Sequence, residues 1–263
     1  MEATLNGARI HYEREGEGLP VIFLHAGVAD ARMWEPQVEA FAKHFDVIRV
    51  DRRGFGQSDL PPGRWSPVAD LLALMDHLDL KPAHLVGCSL GSMLAIDFVV
   101  QHPGRVSKLV SVGPGVGGAR FHARYPDLFQ EVLVAEESND DDAINNAEMH
   151  LWLDGPRRAH GYVKEPLRSF FLEMNGSNFG RDWDSAPTED LDPPAVERLH
   201  EITAPTLVIV GDEDVPSVFD AVELLMEKVS HARKAVIHDA AHLPSLEHPH
   251  EFNRIVQEFL LEG

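Results

Sequence analysis

Several things are scarce in this chain, and each scarcity removes a class of function. There is one cysteine in 263 residues, Cys88. No intramolecular disulfide can form, and a reducing compartment, the cytoplasm, is expected. Basic residues are few: 23 Lys and Arg stand against 43 Asp and Glu, a formal charge of -20. A surface of that sign repels nucleic acid and anionic membranes, so neither is an expected partner. No apolar run approaches the ~20 residues that span a bilayer. The opening Met1-Glu2-Ala3-Thr4-Leu5-Asn6 has neither a basic nor an apolar stretch, so no secretory leader is expected. Repeats and low-complexity tracts are lacking too. The acidic run Asp140-Asp141-Asp142 lacks the spaced ligands and glycine of a calcium loop and reads as a helix start. No metal-ligand set and no cofactor are expected. Gly113-Pro114-Gly115-Val116-Gly117-Gly118 fits a dinucleotide fingerprint in letters only. Pro114 lacks an N–H that a phosphate loop would use, and no clean helix start follows.

What is present is a regular alternation. Short β-branched runs recur at Val21–Leu24, Val47–Val50, His84–Val86, Leu109–Val112, Thr206–Val210 and Ala235–Ile237. Continuous apolar runs of this length suit strands buried on both faces. Helical patterns lie between them, at Asp70–Leu78, Ser92–His102, Ser217–Lys228 and Glu251–Leu261. This predicts an α/β fold, a doubly wound and mostly parallel sheet. Thr4–Arg14, with Asn6-Gly7, reads as an antiparallel hairpin at its edge. The alternation breaks between about Gly115 and Thr203. Helical stretches are expected there at Tyr125–Val134, Ala143–Leu153 and Pro166–Asn175. The division expected is a core of residues 1–115 and 204–263 and a helical lid of residues 116–203. Sites in such sheets lie beyond the carboxyl ends of the strands, where the insertion would cover them.

The chemistry concentrates on that rim. Gly87-Cys88-Ser89-Leu90-Gly91 reads G-x-S-x-G between a strand and a helix. That context makes Ser89 a candidate nucleophile in a tight elbow. A hydroxyl needs a base, and the base needs an orienting acid. His242 follows the last strand and precedes the last helix, so it is the candidate base. Asp214 follows the Thr206–Val210 strand and is the candidate acid, with Asp212 and Glu213 competing in the same loop. Donors for a developing oxyanion are expected from the Leu90 amide and from the loop after Val21–Leu24. There Gly27 is the first choice and Val28 the second. His25 in that loop is expected to hold structure by hydrogen bonding, and Cys88 to be a small core residue. Trp34, Trp152, Phe171 and Met174 are expected to line an apolar pocket, with Phe170, Phe179 and Trp183 as further candidates.

Four blocks together resemble the α/β-hydrolase family across essentially the whole chain. Leu24-His25-Ala26-Gly27 resembles its His-Gly oxyanion loop, with Ala26 where glycine is usual. Asp51-Arg52-Arg53-Gly54-Phe55-Gly56-Gln57-Ser58 resembles its D-x-R-G-x-G-x-S block. Gly87 to Gly91 matches the elbow. Gly211 to Asp214 and His242-Leu243-Pro244 with Glu247-His248-Pro249 match the acid and base blocks, in the family's order of Ser, Asp, His. The resemblance is nearest to single-lid esterases and enol-lactonase-like members. It implies a cofactor-free carboxylesterase-type serine hydrolase acting on a small-molecule ester through an acyl-enzyme. A lactone, an enol-lactone or a C–C bond is the alternative substrate. Members with Asp as nucleophile act as dehalogenases or epoxide hydrolases, and Ser89 argues against both. A non-catalytic receptor on this fold is a third reading, and the intact Ser, Asp and His argue against it.

Overall fold

The β-branched runs form the strands of an eight-stranded sheet in a computed structural model that describes residues 1–262. The strands are β1 (Glu2–Leu5), β2 (Ala8–Glu15), β3 (Leu19–Leu24), β4 (Phe45–Val50), β5 (Ala83–Cys88), β6 (Val106–Val112), β7 (Thr206–Gly211) and β8 (Arg233–Ile237). Their order across the sheet is β1-β2-β4-β3-β5-β6-β7-β8. The expected edge hairpin is there: β1 and β2 pair antiparallel, as do β2 and β4, and every later pairing is parallel. Parallel strands share a carboxyl rim, so the loops after β3, β5, β6, β7 and β8 open on one side.

The sheet is covered on both faces, which is why its strands read as unbroken apolar runs. Side chains alternate across it. Ile22 and Leu24 of β3 join one core cluster, while Val21 and Phe23 join the other. On the first face pack α2 (Pro67–His77), α3 (Leu90–Gln101) and α8 (Pro216–Lys228). The second carries α1 (Glu35–Phe41) and α10 (Pro249–Leu261), with the short turn α9 (Pro244–Glu247) leading into α10. The α1 helix has no clear sequence pattern. It continues a 3-10 turn, Ala31–Trp34, whose Arg32 amide is capped by the Asp30 carboxylate.

Between β6 and β7 the chain is helical: α4 (Gln130–Ser138), α5 (Asp141–Met149), a single π-helical turn (His150–Asp154), α6 (Leu167–Gly176) and the short α7 (Ala195–Arg198). Asp140 caps α5 by accepting from the amides of Asp142 and Ala143, so the acidic run is indeed a helix start. Ala195, Leu199 and Ile202 are buried in the same cluster as α3, so the chain rejoins the core before β7.

Candidate active site

The turn after β5 is shaped by close contacts. A Cβ on Gly87 would lie 2.3 Å from the Gly91 carbonyl oxygen, and one on Gly91 would lie 2.2 Å from that of Leu24. Only glycine fits either position. Between them Ser89 adopts φ 54° and ψ -114°, in the left-handed half of the backbone map. Its amide is held by the Val112 carbonyl at 2.9 Å. Its side chain is half-buried, within reach of solvent.

The loops after β7 and β8 bring the second and third residues together. His242 Nδ1 donates to both carboxylate oxygens of Asp214 at 3.0 Å. Oδ1 also accepts from the Val215 amide at 2.7 Å. Both side chains are almost wholly buried. With the proton fixed on Nδ1, Nε2 keeps its lone pair, the state a general base needs. Nε2 is buried and has no hydrogen-bond partner among the described residues, Ser89 included. The two residues are nonetheless neighbours of one strand end. Ser89 is bonded to Val112, and His242 packs on Gly113, where a Cβ would meet its ring at 3.1 Å. The buried Cys88 thiol faces the His242 carbonyl at 3.7 Å, and burial pushes its pKa up, so it stays neutral. The competing acids are engaged elsewhere: Asp212 with His238 Nδ1 and the Asp239 amide, Glu213 with Arg157.

The loop after β3 supplies a fixed peptide. His25 is buried, donates from Nδ1 to the Ala26 carbonyl at 2.7 Å, and accepts at Nε2 from the Arg52 amide at 3.1 Å. Burial holds its pKa well below the usual imidazole value, so the ring is neutral and its tautomer set by these two bonds. A trans peptide points its C=O and N–H in opposite directions. The grip on Ala26 O therefore turns the Gly27 N–H away from His25. Gly27 lies against the Leu90 side chain, at 3.6 Å from an added Cβ. The Leu90 amide heads α3, where no intrahelical acceptor exists. Among the described residues neither amide has an acceptor. The D-x-R-G-x-G-x-S block braces this loop. Asp51 accepts from the Ala31 and Gln57 amides, and Arg53 makes a two-pronged bond to Asp70 at 2.7 and 2.8 Å.

The expected pocket residues separate. Trp152, in the π-helical turn, packs on the His242 ring with centroids 4.5 Å apart and accepts the His242 N–H at its carbonyl. Trp34, Phe171 and Met174 are all fully buried. Trp34 packs between Phe23 and Phe252 behind the sheet, and Phe171 and Met174 form the inward stripe of α6. Aromatic or sulfur residues at helical spacing look alike whether they face a cavity or a core. A cleft of about 900 Å³ runs along α3 and is bounded by Leu90, Met93 and Asp97, by Arg52 and Phe55, and by Trp183; Ser89 and His242 are next to it in the chain or fold but do not line it.

Arg52 and Asp97 are functional-type residues that sequence reasoning missed. The Arg52 guanidinium is buried over the Phe55 ring, with Nε and Nη2 unpartnered, and burial alone lowers its pKa to about 9. Asp97 is raised to about 7 by burial, with Asp190 adding to the shift, and its Oδ1 is unpartnered. A signal for Asp97 was available: it is the one charged residue of the mostly apolar α3.

Comparison with known proteins agrees with this architecture. The model of the alpha/beta hydrolase fold family matches residues 20–249. A 2-hydroxy-6-oxo-6-phenylhexa-2,4-dienoate hydrolase of Comamonas testosteroni is 31% identical over 98% of this chain and 93% of its own. A 2-hydroxy-6-oxononadienedioate/2-hydroxy-6-oxononatrienedioate hydrolase of Cupriavidus pinatubonensis is also 31% identical, over 96% and 90%. Among solved structures, the enol-lactonase of Burkholderia xenovorans LB400 superposes with a TM-score of 0.80 at 25% identity, over the full length of both chains.

Proposed function

The chain belongs to the alpha/beta hydrolase family, and within it we propose a serine hydrolase for acyl compounds whose leaving group is an enolate: an enol-lactone, or a ketone cleaved at a C–C bond. The observation that carries this is the buried His242–Asp214 pair with Nε2 free on the rim that holds Ser89. His242 takes the Ser89 proton as Oγ attacks the carbonyl carbon, and Asp214 steadies the resulting imidazolium. The Gly27 and Leu90 amides receive the oxyanion. Collapse expels the enolate, which His242 protonates, and leaves an acyl-enzyme. Water, deprotonated by His242, then releases the acid. Residues 116–203 serve as the lid over this chemistry, with Trp152 its contact to the base. Hydrogen bonds of this kind tighten when substrate binds, so the open Ser89–His242 spacing suits a resting enzyme.

Two things favour an enolate leaving group over a simple alkoxide. The relatives at 31% identity are named as dienoate and dienedioate hydrolases, and the superposing structure as an enol-lactonase. The buried Arg52 cation at the Leu90 end of the cleft, with no acid near enough to shift its pKa, also suits a substrate that carries a carboxylate. The test compares kcat/KM for a 2-hydroxy-6-oxodienoate, an enol-lactone and 4-nitrophenyl butyrate, each with wild type and Ser89→Ala. Either of the first two should exceed the butyrate by at least about a hundredfold, and all turnover should vanish in the variant. A marked preference for the butyrate would return the chain to the simple carboxylesterase reading.

A further inference from the structure

Away from the cleft, three ligand-type side chains converge within the segment between β6 and β7. Glu131 comes from the first turn of α4, His150 opens the π-helical turn, and His160 lies in the loop beyond it. One ligand atom from each lies within 4.8 Å of the other two. His150 Nδ1 is 3.0 Å from Glu131 Oε2, and His160 Nε2 is 3.4 Å from Glu131 Oε1. The two imidazoles stack at 3.5 Å with 21° between their planes.

The other nitrogen of His150 decides what this cluster can do. Nε2 lies 3.0 Å from the Arg158 carbonyl oxygen. A carbonyl only accepts, so Nε2 carries a proton. A neutral His150 then turns its Nδ1 lone pair directly at a carboxylate oxygen. Two lone pairs at that spacing repel unless a proton or a metal ion lies between them. A proton there pairs His150 with Glu131, and a neutral His160 can donate from Nε2 to the other carboxylate oxygen without a second charge. A divalent ion answers for both rings and for the carboxylate charge. An imidazole whose far N–H is held by a backbone carbonyl is also the usual outer support of a metal ligand.

We propose that Glu131, His150 and His160 form a site for a divalent transition ion, Zn²⁺ above all, with water in the fourth position. Two imidazoles and one carboxylate suit zinc, cobalt or nickel and do not suit calcium or magnesium. Tetrahedral zinc with bonds of ~2.0–2.1 Å sets its ligand atoms about 3.4 Å apart. The two contacts to Glu131, one to each carboxylate oxygen, bracket that spacing, and the exposed His160 must rotate out of its stack on His150 for both rings to aim at one ion. The site is independent of the proposed hydrolysis but linked to it in space. Two residues after His150, the same π-helical turn presents Trp152 to His242. An ion here would brace the part of the lid that rests on the base.

The experiment is titration of the untagged full-length protein with ZnCl₂, followed by calorimetry and thermal unfolding, in wild type, His150→Ala, His160→Ala and the double variant. One equivalent of Zn²⁺ should bind wild type and raise its Tm, and MgCl₂ should do neither. Each single variant should lose at least about tenfold in affinity, and the double variant should bind no ion at this site. Because the three side chains lie at or near the surface, the variants should stay folded, which unfolding without zinc checks. Equal binding by wild type and the double variant would place the metal on other histidines and overturn the site. So would variants that lower the Tm without metal while zinc adds nothing to wild type, since the cluster would then be a proton-held clasp.

Discussion

Ser89 sits in a backbone conformation that costs an L-residue about 1–3 kcal/mol, and the turn around it enforces that cost. Removing its hydroxyl changes no packing. Ser89→Ala should therefore lower kcat by at least about 10³-fold with Tm essentially unchanged, read by steady-state kinetics and calorimetry on one preparation. His25 acts one step back, as a positioning residue. His25→Phe deprives Ala26 O of its donor and the Arg52 amide of its acceptor. The Gly27 amide then loses its aim, and kcat should fall about ten- to a hundredfold while KM moves little. A rise in KM with kcat intact would instead place His25 in binding. A different residue governs acid stability. His84 is buried with both ring nitrogens unpartnered, and burial lowers its pKa from 6.5 to about 4. Below about pH 6.5 the unfolded chain takes a proton that the folded chain refuses, so stability drops as pH falls toward 4. His84→Leu should be close to wild type at pH 8 and gain about 1 kcal/mol on it at pH 5.5, measured by urea unfolding at both. A pH-independent difference would mean that packing against Phe45 dominates. The residues proposed to react could be singled out in the sequence because their chemistry allows few substitutes and their loops follow recognisable strands. Arg52 could not, because burial without a partner is a fact of three dimensions, and Asp97 offered only its place in an apolar helix.

At the level of elements, the β5–α3 junction is fixed by backbone approaches of 2.2–2.3 Å, which no adjustment of side chains relieves. Gly91→Ala should cost several kcal/mol and give little soluble protein, whereas substitutions at Gly104, where an added Cβ meets nothing, should be harmless. These contacts explain why the G-x-S-x-G letters could be read with their geometry. The helical segment between β6 and β7 is the opposite case. Its helices were visible roughly where they fall, but α4 begins late because 3-10 turns at Phe121–Arg124 and Pro126–Phe129 take up the chain before it. The π-helical turn left no pattern at all, since one extra residue per turn does not alter composition. Yet that turn carries Trp152. Trp152→Ala should leave the fold intact, keep the backbone bond to the His242 amide, free the His242 ring of its stacking partner, and reduce kcat more than it alters KM. Unchanged kinetics would show that Asp214 alone holds the base.

For the molecule as a whole, a charge of -20 acts on any anionic substrate before it reaches the cleft. If the substrate carries a carboxylate, screening should help it approach. Its kcat/KM should rise severalfold between about 10 and 200 mM salt, while a neutral ester shows no trend. A fall with salt would mean that Arg52 and its surroundings outweigh the net charge. The architecture was the most legible part of the sequence, because two-sided burial of parallel strands leaves a plain alternation of apolar runs and helices. One feature of that architecture bears on time. β6 and β7 are hydrogen-bonded neighbours, yet the helical segment separates them along the chain. Ser89 lies before that long excursion, and Asp214 and His242 lie after it. Their meeting waits for the slow closure of a very long loop. In refolding, helical signal should return first and turnover last. In a cell, a growing chain would expose its proposed nucleophile long before the proposed base arrives to activate it, and with those roles it is silent throughout its own synthesis.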